Sequence, residues 1–116
     1  MVQSGSHRVQ KMASLIRSEL SRLLISEVSD PRLRHIVITD VELSKDLRHA
    51  RVYFEAGAVS DPKEVSRGLV RAVSFLRRKL SANLDLKYVP ELVFDLDKQA
   101  SQVSRVLSLL EEVKPQ

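Results

Sequence analysis

The side chains able to do covalent or metal chemistry are few and far apart in this sequence. Histidine occurs at His7, His35 and His49, with no HxH or HExxH spacing that would bring two imidazoles onto one ion. Cysteine is absent, which removes thiolate metal sites, a cysteine nucleophile and disulfides together. The glycines, Gly5, Gly57 and Gly68, stand apart, so no Gly-rich loop can wrap a nucleotide phosphate. Asp95 and Asp97 alternate on one side of a strand-like run, and a solvated strand end accounts for them. The reading is no catalytic residue, no metal and no cofactor.

What the sequence does concentrate is positive charge. The formal net charge is +4, and it is unevenly placed: residues 61–90 hold seven Lys/Arg against three Asp/Glu, whereas residues 91–116 hold three against five. On a helical wheel Lys63, Arg67, Arg71, Ser74 and Arg78 fall in one stripe, opposite Val65, Leu69, Leu76 and Leu80. A solvated helix back usually interleaves Glu with Lys, yet no acidic residue occurs from Val65 to Leu84. One-signed charge of this kind suits a polyanion. The expected phosphate contacts are Lys63, Arg67, Arg71, Arg77, Arg78 and Lys79, with Ser74 among them on the stripe; Arg32, Arg34, Lys45 and Arg48 are secondary candidates, for which ordinary loop solubility competes. Of the aromatics only Tyr53 is expected to point outward, so stacking on bases is not the expected mode.

The elements that must position this stripe follow from periodicity. Apolar residues recur at Val9, Met12, Ile16, Leu20, Leu23 and Leu24, the spacing of one helix face, with Ser6 as a possible cap and Pro31 as the stop. From Ile36 the period becomes two, predicting a strand with Val37, Thr39, Val41 and Leu43 on one side. A second strand, Arg48 to Ala56, has Ala50, Val52, Phe54 and Ala56 facing in, and the short "SKDL" link makes the pair an antiparallel hairpin. "DPKE" reads as a helix start, with Asp61 the N-cap, Pro62 at the first position and Glu64 completing a capping box. That helix has Val65, Leu69, Ala72, Val73, Leu76 and Leu80 on its core face and is expected to stop near Asn83. A third strand, with Tyr88, Leu92, Phe94 and Leu96 on one side, returns parallel to the second as an edge strand, because Pro90 lacks an N–H. A last helix carries Val103, Val106, Leu107, Leu110 and Val113.

Three segments, "DPRL" at Asp30 to Leu33, "VELSKDLRHARVYF" at Val41 to Phe54 and "LKYVPELVFDLD" at Leu86 to Asp97, resemble the ribosome-binding factor A family in order and spacing. The resemblance covers nearly the whole chain. It implies an α+β fold similar to a type II K-homology (KH-like) domain, order α-β-β-α(kink)α-β-α, with a three-stranded sheet and helices mainly on one face. The family's Ala-x-Gly kink between the two central helices falls on Ala72, Val73 and Ser74, where a Ser hydroxyl bonded to the carbonyl one turn earlier could bend the helix without a glycine.

The expectations are then a single domain over residues 8–113, a flexible lead-in at 1–7 and a short tail at 114–116. No run reaches the roughly 18 apolar residues of a membrane span, and the N-terminus lacks a signal-peptide core, so a cytoplasmic, monomeric protein is expected. The resemblance implies a non-enzymatic factor whose partners are 16S rRNA, its precursor and the 30S subunit, and which assists processing of the 5′ region and subunit assembly. The competing reading is a protein-interaction module that docks a ribosomal protein or another factor through the open sheet face or the last helix.

Overall fold

The computed structural model describes residues 7–57 and 60–98. The cap expected at Ser6, the terminal helix with Val103, Val106, Leu107, Leu110 and Val113, and the tail lie outside the described residues. Helix α1 spans His7–Ser26 and buries Val9, Ile16, Leu20, Leu23 and Leu24, the stripe its spacing predicts. It closes with the Glu27 and Val28 N–H groups both donating to the Leu23 carbonyl, at 2.9 and 3.1 Å. A short 3-10 turn, Pro31–Leu33, follows; the Asp30 side chain caps it by accepting from the Arg32 N–H, and Leu33 is buried.

Strands β1 (Val37–Leu43) and β2 (His49–Glu55) pair antiparallel, and β3 (Glu91–Leu96) pairs parallel to β2, giving the order β1-β2-β3. The β2 alternation is as expected, with Ala50, Val52 and Phe54 buried. The β1 face is a correction. The register slips between Ile38 and Asp40, so Thr39 and Asp40 together oppose Tyr53. Val41 and Leu43 face in as expected, but before the bulge the inward role passes from Val37 and Thr39 to Ile38 and Val37 is exposed, because one extra residue inverts the side-chain parity of everything before it. In the hairpin link, Leu47 takes a positive φ of 63°, and Ser44 and Asp46 receive the N–H groups of His49 and Arg48 on their side-chain oxygens.

Helix α2 spans Pro62–Leu84, with Asp61 accepting from the Lys63 N–H as its N-cap. Three expectations change here. The two carboxylate oxygens of Glu64 meet Arg67 and Arg32, where a capping box would send them back to the cap. The helix ends at Leu84, near Asn83 as expected, but the left-handed cap is Asp85 and not Asn83, with φ 54° and ψ 47° and its N–H on the Ser81 carbonyl; Leu84 and Leu86 on either side of it pack against the core. And α2 is one unbroken helix of 23 residues, not two divided at Ala72–Val73–Ser74. Ser74 is exposed, and its hydroxyl makes no hydrogen bond back to the preceding turn among the described residues.

The architecture is α+β. Among the described residues α1 and α2 cover one face of the sheet, α1 over β1 and α2 over β3, and they touch each other. Between the layers, Ile16, Leu20, Leu23, Leu69, Leu76, Leu80, Val52 and Phe54 are essentially inaccessible, and no polar side chain is buried among the described residues. Each such side chain contributes about 1.5–3 kcal/mol by leaving water. The opposite sheet face carries cross-strand polar pairs: Tyr53 Oη donates to Glu42 Oε1 at 2.9 Å, Arg51 pairs with Asp95, and Thr39 Oγ1 donates to Asp97 Oδ2 at 2.5 Å. Burial and the Glu42 carboxylate hold the Tyr53 phenol above its ordinary range.

Candidate nucleic-acid interface

The basic helix sits where its sequence implies, with Val65, Leu69, Leu76 and Leu80 pressed on the sheet and the opposite face turned to solvent. Gly68 lets this helix lie close to the 3-10 turn: a Cβ built on it would stand 3.1 Å from Leu33 Cδ2 and 3.2 Å from Asp30 Oδ2. The apolar pattern leaves Gly68 out, yet an isolated glycine inside a helix is itself a signal of close packing.

The predicted contacts divide into three groups. Lys63, Arg71 and Arg78 are exposed, as is Ser74 between them, and these three cations form no ion pair among the described residues. Arg78 lies over the Phe75 ring at 5.9 Å from its centroid, which leaves its charge unneutralised. Arg67 is exposed but pairs with Glu64 one turn earlier, and Lys79 reaches Glu27 Oε1 at 3.2 Å. Arg77 is turned away from the stripe. Its half-buried guanidinium donates to the Val89 carbonyl at 3.0 Å and the Pro90 carbonyl at 3.2 Å, tying α2 to the segment that leads into β3. Arg77 is thus a structural clamp where a phosphate contact was expected.

The secondary candidates divide as well. Arg32 folds back on Asp30, with Nη2–Oδ2 at 2.7 Å and Nε–Oδ1 at 3.1 Å, and lies 3.6 Å from Glu64. These donors, together with the Arg32 backbone N–H, hold the Asp30 carboxyl below its usual range. Arg34, Lys45 and Arg48 are exposed. Lys45 and Arg48 stand at the hairpin end and are not part of the α2 stripe. A shallow groove of about 280 Å³ beside Arg71 is lined by Glu27, Asp30, Gly68 and Phe75 among others, so its walls carry both signs.

Two groups next to α2 escaped the sequence reading. Tyr88, expected on the inner side of β3, precedes the strand and is 76% exposed, and Lys87 beside it places Nζ 5.7 Å from its ring centroid. The available signal was the Lys-Tyr pair two residues before Pro90, since proline marks the point at which alternation can begin. Among the described residues no group of three or more His, Asp or Glu could hold a metal ion, and no helix is long and apolar enough to cross a membrane. The arrangement can bind anions by charge.

Comparison with known proteins agrees with this picture. The chain is 43% identical over 111 residues to the ribosome-binding factor A of Heliobacterium modesticaldum, covering 95% of this chain and 92% of the relative. The crystal structure of ribosome-binding factor A from Thermus thermophilus superposes with a TM-score of 0.70 at 26% identity, covering 76% of this chain and 93% of that one. A Thermus thermophilus homology model fitted into a cryo-EM map of a 30S–ribosome-binding factor A complex gives a TM-score of 0.62 at 29% identity, covering 72% of this chain and 88% of that one. The family model described as ribosome-binding factor A matches residues 8–110, and with the fold and the spacing of its motifs already in agreement, the chain belongs to the ribosome-binding factor A family.

Proposed function

We propose that this protein is a cytoplasmic, non-catalytic assembly factor that binds the immature 30S subunit through 16S rRNA or its precursor and assists maturation of the 5′ region. Family membership supports ribosome binding, and so does the relative fitted into a 30S complex. The observation that carries the RNA contact is the separation of charge on α2. Lys63, Arg71 and Arg78 are exposed on the outer face without an ion pair among the described residues, Arg71 acting on the Asp30 carboxylate only through its field, whereas Arg32, Arg51 and Lys79 are in ion pairs with carboxylates elsewhere. Free cations on a rigid helix set register on a phosphate backbone without reading sequence.

The competing protein-docking reading would use the open sheet face or the last helix, and the latter lies outside the described residues. On the sheet face the polar atoms of Tyr53 and Arg51 already have partners on neighbouring strands and Thr39 is bonded to Asp97, which favours α2 over that face as the interface. Affinity for precursor rRNA, measured across a salt series, tests the proposal. With three to four phosphates neutralised, the log–log slope should be roughly −2 to −3.5, and Arg71→Ala and Arg78→Ala should each flatten it by just under about one unit. A slope near zero in the unsubstituted protein would overturn the electrostatic mechanism. Small-subunit association in cell extract that survives ribonuclease digestion would favour protein docking.

A further inference from the structure

The two tyrosines of this chain are in opposite situations. Tyr53 is half-buried, and its hydroxyl is committed to Glu42. Tyr88 is 76% exposed, although the chain on either side of it is anchored. Before it, the Leu86 N–H donates to the Ser81 carbonyl at 3.1 Å and the Leu86 side chain packs on the core. After it, Val89 packs on the core, Pro90 is buried, and Arg77 holds both of their carbonyls. The Glu91 N–H then donates to the Arg48 carbonyl at 2.8 Å, starting β3. A large ring is therefore presented to water from a backbone fixed at both ends. Core packing does not account for that placement, since the ring contributes nothing to the interior.

The surroundings indicate what such a ring could receive. Lys87 stands over it with Nζ 5.7 Å from the ring centroid, so a flat partner carrying negative charge is favoured over a neutral one. We propose that Tyr88 is a stacking platform for one unpaired nucleobase, with Lys87 placed to meet the phosphate of the same nucleotide; this rests on the rRNA-binding reading above and adds a contact to it that charge alone does not supply. Every base has a π-face, so one ring stacks without regard to sequence. Bases inside a duplex are already stacked, so the platform selects single-stranded or bulged segments. The phosphate contacts of Lys63, Arg71 and Arg78 are indifferent to that distinction. The basic face would thus set affinity, and Tyr88 the preference for unpaired RNA.

The test compares the unsubstituted protein, Tyr88→Phe and Tyr88→Ala on a mixed-sequence single-stranded RNA and on a duplex of equal length, each across a salt series. Tyr88→Phe should bind within about twofold of the parent. Tyr88→Ala should lose about 5- to 100-fold on the single strand with its salt slope unchanged, and nothing on the duplex. Because the chain has no tryptophan, Tyr88→Trp supplies a single reporter whose fluorescence should be quenched saturably by the single strand and not by the duplex. Parental single-strand affinity in Tyr88→Ala, or an equal loss on both substrates, overturns the stacking proposal while leaving the electrostatic reading standing. Absence of salt-dependent RNA binding by the unsubstituted protein overturns that reading, and this inference with it.

Discussion

Replacing Gly68 by alanine sets two opposed effects against each other at one atom. In a helix interior alanine is favoured over glycine by about 0.8–1.0 kcal/mol, so an open site would be stabilised by that amount. Gly68 is not open. The added methyl would stand 3.1 and 3.3 Å from Leu33 Cδ2 and Cγ and 3.2 Å from Asp30 Oδ2, and neither neighbour can retreat freely. Leu33 is 2% exposed, and Asp30 is held by Arg32 through its backbone N–H and its guanidinium. Overpacking of this kind costs about 1–3 kcal/mol, so Gly68→Ala should destabilise by roughly 0–2 kcal/mol, with about 1 kcal/mol the central expectation. Denaturant unfolding should show a lower midpoint at unchanged slope. A cycle with Leu33→Ala separates the two effects: Leu33→Ala alone should cost about 2–5 kcal/mol, and about 1–2 kcal/mol less in the Gly68→Ala background, where the shortened side chain makes room. Stabilisation by the full propensity difference, with no coupling in the cycle, would refute the claim that α2 and the 3-10 turn are fitted at this point.

Arg77→Met keeps the aliphatic stem while leaving the Val89 and Pro90 carbonyls without their donors; a stability loss of about 1–3 kcal/mol by thermal or chemical unfolding is expected, whereas Arg78→Met should be near neutral. Stability should also depend on acid. The carboxyls of Glu19, Asp30 and Asp46 are held below their ordinary values, chiefly by side-chain hydrogen bonds from Arg22, Arg32 and Ser44 respectively. Depressed values mean that the unfolded chain binds more protons, so the contribution is complete at neutral pH and is lost as pH falls below the unfolded values of about 4 and on through the folded ones. Unfolding midpoints at pH 7, 5, 4 and 3 should therefore be level down to 5 and then drop, and Asp30→Asn should narrow the drop; a midpoint that rises on acidification would contradict the pairing.

Legibility in the sequence followed the regularity of the local pattern. The α1 stripe and the β2 alternation could be read directly, because no insertion disturbs either period. In β1 the phase was right for Val41 and Leu43 and wrong before them: Thr39 is an extra residue, and nothing in "VITDVEL" marks it, since Val37 and Ile38 are equally good core residues. Alternation also carried Tyr88 into the interior, although pairing begins only after Pro90, at Glu91. The α2 stripe was visible as a charge pattern. Its division into free, paired and structural cations was not, because the places of Lys79 and Arg77 depend on Glu27 and the Val89–Pro90 carbonyls, brought near by tertiary packing. Arg77 and Arg78 are adjacent in sequence and identical in chemistry, and only the fold assigns them different work.

The bulge at Thr39 has a consequence for how copies of this chain meet. β1 borders the sheet, and a border strand is a template on which another strand can grow. A template works only while its donors and acceptors keep an even pitch. In β1 that pitch holds for Val37 and Ile38, breaks at Thr39, and resumes for Asp40 to Leu43 in the opposite phase. An incoming strand would find two short rungs out of step where one long ladder was needed. The irregularity that misleads a reading of the sequence also makes this edge a poor seed for fibril growth.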